Sequence, residues 1–332
     1  MKNQKQGVTI YKIANILNIS PSTVSRALNS SGRMRMELRK KIFELAKKYN
    51  YIPNQMARGL RTKSSMLLGL VVPNIQNPYY VAIARGCQDE ADRHDYSIAI
   101  CNTDDKPELE KKRILALAQR QVDGLLLFNF FNHQETLELL EKLPIPSVLF
   151  NPLPKTSFPH IRHNTSDAIK ALILHFLGKG YKTIAHIAGS QKTVAGKSRL
   201  RNFVQVLQAH QVPLREEWIV EDDFTFQGGC RAMKALLRLR ERPQAVWASN
   251  DLMAIGAMEA IRGAGLRIPE DIAVAGCDDI EHASLVTPRL TTIAKPKYEL
   301  GVEAVSLLVA LIRGEEPQEK VLEDMLVIRE ST

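Results

Sequence analysis

Apolar positions follow two rhythms along this chain. Up to about residue 50 they recur at helical spacing. Ile10, Ile13, Ala14 and Leu17 fall on one face of a short helix that Thr9 is placed to cap. Val24, Ala27 and Leu28 turn inward from a second helix, opened by Ser20 as N-cap and Pro21 at its first position. A third, over 36–49, buries Leu38, Ile42, Leu45 and Ala46. Between the first two, Asn18-Ile19 predicts a tight turn, because Asn tolerates left-handed backbone. Two short helices joined by a three-residue turn and buttressed by a third form the helix-turn-helix plan.

From Met66 the rhythm changes. Continuous apolar runs at 67–73, 97–101, 124–128, 147–150, 184–188, 245–248 and 272–276 predict buried strands, and segments such as 79–94, 108–120, 167–177 and 252–262 carry helical periodicity. Such alternation implies parallel sheets covered on both faces. A loop at 151–159 with three prolines, followed by a fresh strand–helix series, implies two sheets. Ligands of open α/β sheets sit at the carboxyl ends of the strands, so a cleft between two lobes is the expected site.

Composition narrows the classes. The 332 residues suffice for two or three domains with real cores. No apolar run approaches the ~20 residues of a membrane span, and the N-terminus has no stretch of signal-peptide type, so no membrane partner and no export are expected. Cys87, Cys101, Cys230 and Cys277 lie far apart, which excludes a zinc site of the usual spacing and gives no disulfide framework. A reducing cytoplasm is the default, and neither metal nor cofactor is expected. Net charge is +9, but its placement matters more. Residues 1–65 hold 14 Lys/Arg against Glu37 and Glu44, a net of +12, and the other 267 residues carry −3. A basic module on a near-neutral body points to a polyanion, nucleic acid ahead of membrane.

In a helix-turn-helix the second helix enters the major groove by its N-terminal end, where Pro21, Ser22, Ser25 and Arg26 face outward. Arg26 can donate two parallel hydrogen bonds to guanine O6 and N7, Ser22 can bond either base, and Pro21 offers apolar contact. Thr9, Tyr11, Ser20, Thr23, Asn29 and Tyr51 suit phosphate contacts, which position the helix without reading sequence.

The run V-T-I-Y-x-I-A…S-x-S-T-V-S-R-A-L-N…Y-x-P-N-x-x-A-R-G-L, from Val8 to Leu60, resembles the lac/gal repressor family of bacterial transcription regulators. The resemblance implies base reading by Pro21, Ser22 and Arg26, with Ser25 and Asn54 joining the backbone contacts. It also implies a hinge helix whose Ala57 and Leu60 enter the minor groove, Leu60 as a wedge between base steps. Residues 54–63 are short, include Gly59 and have little apolar surface, so such a helix is marginal alone and would order with its twin on DNA. Lys12 departs from the acid usual near the first helix start, and Arg35 and Leu38 stand where small hydroxyl residues are usual; Arg33 and Arg35 offer charge instead.

The likeness continues through V-P-N-I-Q-N-P-Y-Y (72–80), V-D-G (122–124), S-N-D-x-M-A-x-G (249–256), G-C-D-D (276–279) and L-T-T-I (290–293). It implies a fold of an all-α helix-turn-helix DNA-binding domain plus an α/β periplasmic-binding-protein-like core of two parallel-sheet lobes joined by three crossovers. The expected boundaries are 1–53 for the DNA-binding domain, 54–64 for the hinge and linker, and 65–332 for the core. Within the core, lobe 1 spans about 65–161 and 294–320, and lobe 2 about 162–293 and 321–330, the last strand falling to lobe 2.

Strand ends nominate the effector site. Asp278 follows the strand at 272–276, Arg199 lies on the helix after 184–188, and Asn250 ends another strand. An aspartate, an arginine and an amide converging in a cleft can bind sugar hydroxyls through paired donors and acceptors, and Phe224 can stack on the ring's apolar face. Asn250 or Asp251 could equally cap the following helix, Asp279 could cap or stay solvated, and Arg199 could be a surface residue. The resemblance places Arg199, Phe224, Asn250 and Asp278 at effector-contacting positions, with Tyr80 and Asn151 as further members. Thr193 and Ala195 replace the arginine and threonine of the purine-responsive branch. Lys295 stands where glutamine is usual, which would favour an acidic or phosphorylated ligand.

An enzyme is the first rival. Gly189…Gly196-Lys197-Ser198 imitates a phosphate loop, but six residues rather than four separate its glycines, so the backbone N–H groups would not converge on a phosphate. Gly263-Ala264-Gly265 ends a helix and is no dinucleotide fingerprint. An exported solute-binding protein is the second rival, opposed by the basic module. The sequence thus predicts a cytoplasmic, nucleoid-associated homodimeric repressor, not an enzyme, that binds pseudo-palindromic duplex DNA under control of a small molecule. A sugar is the first expectation for that molecule; a nucleoside, a phosphorylated metabolite or no effector are the alternatives. The chain's end at Thr332 leaves no room for a tetramerisation helix, so a dimer is preferred.

Overall fold

The structure, a computed structural model, describes residues 9–28, 34–51, 64–128, 133–151, 156–316 and 320–332. They fall into two compact units that divide at Ser65/Met66.

The first unit comprises α1 (Ile10–Leu17), α2 (Pro21–Leu28) and α3 (Met36–Lys48). Ile13, Ala14, Val24, Ala27, Ile42 and Ala46 form its core, drawn from all three helices at the periodic positions. Asn18 takes the left-handed conformation at φ 50°, and the Ile19 N–H closes α1 on the Ala14 carbonyl at 3.0 Å. Thr9 occupies the cap position of α1, but its hydroxyl makes no cap bond; the Lys12 N–H takes the Thr9 carbonyl at 3.0 Å instead. Lys12 carries its charge over the Tyr49 ring, 4.9 Å from the centroid, which gives the cation a partner away from the positive helix end. Arg35 likewise caps α3 without a side-chain bond, having no acceptor to offer.

The second unit begins with β1 (Leu67–Val72), α4 (Pro78–Arg93), β2 (Ser97–Asn102), α5 (Pro107–Gln119), β3 (Gly124–Phe128), α6 (His133–Glu141), β4 (Ser147–Phe150) and β5 (His160–Asn164). The chain then crosses to α7 (Ser166–Gly178), β6 (Ile184–Ala188), α8 (Val194–Ala209), β7 (Ile219–Glu221), α9 (Phe226–Leu237), β8 (Ala245–Ala248), α10 (Asp251–Gly263), β9 (Ala273–Asp278), α11 (Glu281–Leu285) and β10 (Thr291–Ala294). It returns for α12 (Lys297–Ile312) and β11 (Val321–Glu323), and crosses again to β12 (Met325–Val327).

Each lobe is a six-stranded sheet, ordered β11-β5-β4-β3-β1-β2 in the first and β12-β10-β9-β8-β6-β7 in the second. All pairings are parallel except β10 with β12. Helices cover both faces, so central strands such as β3, β4, β6, β8 and β9 are buried throughout, which is why they read as unbroken apolar runs.

Two details correct the expected division of the lobes. The last strand does not belong wholly to lobe 2: Val321–Glu323 pairs with Arg162–Asn164 in the first sheet, and only Met325–Val327 joins the second. Lobe 1 therefore extends to Asn164, because β5 must run far enough to receive β11. The chain end is also built in, with the buried Ser331 Oγ donating to the Val274 carbonyl at 2.6 Å and accepting from the Thr291 N–H at 2.8 Å.

Candidate functional site

On the helix-turn-helix unit, Ser20 caps α2, its Oγ accepting from the Thr23 N–H at 3.1 Å and lying 2.8 Å from the Ser22 and Thr23 hydroxyls. Ser22 in the first turn of α2 and Arg26 in its last are exposed while Val24 and Ala27 are buried, so the two candidate base readers lie away from the buried side of the helix. Among the described residues, Arg26 bonds the Thr23 hydroxyl, at 3.5 Å. Pro21, Thr23, Ser25 and Tyr51 are half-buried, and Thr9, Ser20 and Tyr11 are exposed, Tyr11 at 65%. Asn29, Asn54, Ala57 and Leu60 lie outside the described residues.

In the core, the strand carboxyl ends of both lobes enclose a cavity of about 390 Å³. Tyr80, Asn151, Arg199, Phe224, Asn250 and Asp278 all line it. On the lobe 1 side stands an aromatic wall: Phe128 and Phe150 stack in parallel with centroids 4.1 Å apart, and Tyr80 meets Phe128 edge-on at 5.1 Å. On the lobe 2 side, Phe224 fills the space left by Gly189, where a Cβ would lie 2.1 Å from the ring. Gly189 therefore makes room for an aromatic ring, and its partner in the imitation phosphate loop, Gly196, packs against the Ser190 carbonyl.

Polar groups converge between these walls. Asp278 ends β9 with φ 121°, and its Oδ1 lies 3.5 Å from Arg199 Nη2 and 3.2 Å from Lys295 Nζ. All three residues are at most 9% exposed. Arg199 is held from behind by a 2.5 Å bond to the Ser249 carbonyl and lies over the Phe224 ring at 5.8 Å. Burial and the Arg199 guanidinium both disfavour a charge on Lys295; the Asp278 carboxylate keeps it protonated, its pKa above the ordinary lysine value. Asn250 proves to be the N-cap of α10. Its Oδ1 accepts from the Met253 N–H at 2.9 Å and its Nδ2 donates to the Phe224 carbonyl at 3.1 Å, leaving one hydrogen and one lone pair for a ligand. Asn151, left-handed at φ 45°, accepts from the His163 N–H at 3.0 Å. Asp279 is neither cap nor free: Arg329 Nη2 holds it at 2.7 Å.

On the polar side of the crossovers, sequence reasoning singled out Lys295 but missed Thr165, His163 and Asp324. Thr165 and Lys295 sit on two of the crossovers and line the cavity, and Asp324 forms the third. His163 Nδ1 lies 2.9 Å from Asp324 Oδ2 and 3.1 Å from the Thr165 hydroxyl, tying two crossovers together. Burial, reinforced by the Lys295 charge, holds His163 below the ordinary histidine pKa. Burial pushes the Asp324 pKa up, but the bond from His163, the nearby Lys295 charge and the Thr165 hydroxyl together outweigh it and keep that carboxyl below its ordinary value. A neutral imidazole therefore donates from Nδ1 to an ionised Asp324 and keeps Nε2 as an acceptor. His163 and Arg162 come from HIRHN, too polar to register as a strand. Phe128 and Phe150 were legible only as strand residues; nothing in their spacing announced a binding wall.

A helix-turn-helix unit and a separate two-lobed α/β core with a polar, aromatic-walled cleft define a ligand-binding transcription regulator. Comparison with known proteins agrees with that class and names the family. Residues 9–54 match the model for "Bacterial regulatory proteins, lacI family", and residues 173–332 that for the "Periplasmic binding protein-like domain". The ribose operon repressor of Haemophilus influenzae is 34% identical over 330 residues, covering 97% of this chain and 98% of that protein. A crystal structure of the Lac repressor dimer bound to operator and an anti-inducer matches with a TM-score of 0.91 at 28% identity, covering 98% of this chain and 99% of that one. A complex of the transcriptional regulator CelR with cellobiose matches at 0.74 and 28% identity, covering 98% and 100%. The chain belongs to the lacI family of bacterial regulatory proteins and is a DNA-binding transcription repressor.

Proposed function

We propose that this repressor binds a pseudo-palindromic operator as a homodimer in the bacterial cytoplasm, and that a polyhydroxylated small molecule, a sugar or sugar derivative, occupies the core cleft and sets operator affinity. Each subunit would place α2 in one major-groove half-site, with Arg26, Ser22 and Pro21 on base edges. Thr9, Tyr11, Ser20, Thr23, Ser25, Asn29, Tyr51 and Asn54 would hold phosphates, and Ala57 and Leu60 would enter the minor groove. The observation that carries the effector reading is the buried Arg199–Asp278 pair beside the Phe224 ring, which supplies donors, acceptors and an apolar face within one cavity. No described helix is long and apolar enough to cross a membrane. The relatives are transcription regulators, which supports a non-enzymatic role.

Thermal-shift screening of sugars and their derivatives against the full chain tests the reading, followed by DNA binding with each hit. A stabilising compound should also change operator affinity, since linkage makes the two effects reciprocal. A compound that fills the cleft and leaves DNA affinity untouched would contradict it.

A further inference from the structure

The buried floor of the cleft carries more positive than negative charge. Arg199 and Lys295 share a single carboxylate oxygen, Asp278 Oδ1. Asp324, also buried nearby, is bonded by the neutral His163 at 2.9 Å and keeps its charge, so it balances one of these two cations. Arg162, on β5 beside His163, lines the same cavity, and its buried Nε has no acceptor among the described residues. Across the whole lining, five basic side chains (Arg162, Lys197, Arg199, Arg201 and Lys295) face three acidic ones. One of those acids, Asp223, is bound by Arg231 at 3.0 Å. The first turn of α8, with Val194 and Ala195 on the cavity wall, adds the positive end of a 16-residue helix. Excess charge among buried groups is unfavourable unless a counter-charge completes it.

We propose that the ligand of this cleft bears one negatively charged group, a phosphate or a carboxylate, on a polyhydroxylated body, and that Lys295, Arg199 and Arg162 receive the charge. This rests on the reading of the cleft as the effector site. It deepens that reading by placing the anion against Lys295, a crossover residue, so the charged group is felt where the lobes join. Guanidinium groups suit the planar, paired acceptors of a carboxylate or phosphate, and the Lys295 ammonium acts as a point charge.

Calorimetric titration of the full chain with matched pairs tests it: ribose and ribose 5-phosphate, glucose and glucose 6-phosphate, glucose and glucuronate, with inorganic phosphate alone as a further arm. The phosphate and carboxylate arms separate the two sources of charge. A charged member should bind at least tenfold more tightly than its neutral parent and than inorganic phosphate. Lys295→Gln should reduce that preference tenfold, and Arg162→Gln, at a half-buried position less critical to folding, should reduce it as well. Neutral sugars that bind with less than a threefold gain from the charge would overturn the proposal and leave the effector reading standing. A preference that survives both substitutions, or inorganic phosphate binding as tightly as the sugar phosphates, would overturn it too. Failure of every arm, neutral and charged, would overturn both.

Discussion

Asp278 holds a backbone conformation that L residues rarely adopt, φ 121°, at the end of a strand where Lys297 Nζ bonds its carbonyl and two buried cations face its carboxylate. Asp278→Asn keeps a residue tolerant of such backbone but removes the carboxylate that Arg199 and Lys295 share. Removing one partner of a buried ion pair costs about 3–5 kcal/mol, so the variant's denaturant midpoint should fall clearly; an unchanged midpoint would show that the pair contributes nothing. On the DNA side, Arg26→Ala should lose about 1–3 kcal/mol of discrimination at one base pair per half-site, read by competition with single-base operator variants. Equal loss on every sequence would contradict base reading. Arg199 and Asp278 were legible because strand ends and charge point to a cleft. Asn250 was legible only as a choice between cap and ligand, and the structure shows the cap. Lys295 could be singled out from the sequence, but not its burial against Asp278, which depends on contacts between distant segments.

Each lobe is seamed by one pair of helices that meet at glycines. Where α4 meets α12, a Cβ at Gly86 would lie 2.1 Å from the Tyr298 carbonyl oxygen, and one at Gly301 2.2 Å from that of Ile83. Where α9 meets α10, a Cβ at Gly229 would lie 2.1 Å from the Met253 oxygen, and one at Gly256 2.0 Å from that of Phe226. The obstacles are backbone and cannot swing aside. Gly301→Ala and Gly256→Ala should each destabilise by about 1–3 kcal/mol or more, as overpacking does. Gly263→Ala, with nothing within 4 Å at the end of α10, should be neutral or gain up to about 1 kcal/mol. Urea unfolding distinguishes the three, and equal effects would contradict the seams. At this scale the apolar strands and their helices were legible from periodicity. The edge strands β7, β11 and β12 and the strand β5 beside β11 were not, because they are short or polar and only half-covered.

At the scale of the molecule, two buried groups bias stability in opposite directions with pH. Burial, and then the Asp278 charge, raise the Asp251 pKa to about 7 against the two hydrogen bonds it accepts from Thr292 and Ile280. The folded state thus binds the proton more tightly than the unfolded chain, and this contribution falls as pH rises from about 4 to 7. His186, stacked between Trp247 and Phe203, is pushed by burial down to about 3, so its contribution rises with pH between about 3 and 6.5. Asp251→Asn removes the first trend and leaves the second. The variant's urea midpoint should climb more steeply from pH 4.5 to 6.5 than that of the unsubstituted protein, and parallel curves would contradict the assignment. The interleaving of the lobes belongs to this scale as well. Periodicity gives strands in order but not which sheet receives them, and the return to lobe 1 was implied by resemblance alone. Even so, the boundary fell three residues short, because the pairing of β5 with β11 decides it.

The central claim is that what occupies the core cleft controls what α2 does on DNA. Its most direct measurement is fluorescence anisotropy on a duplex selected with this protein from a random pool, titrated with and without a cleft-binding sugar derivative, for the unsubstituted chain and for Asp278→Asn. The account predicts that the ligand changes the Kd of the unsubstituted chain at least fivefold and that the substitution abolishes this response. An unshifted Kd with ligand demonstrably bound, or an equal shift in both proteins, would contradict it.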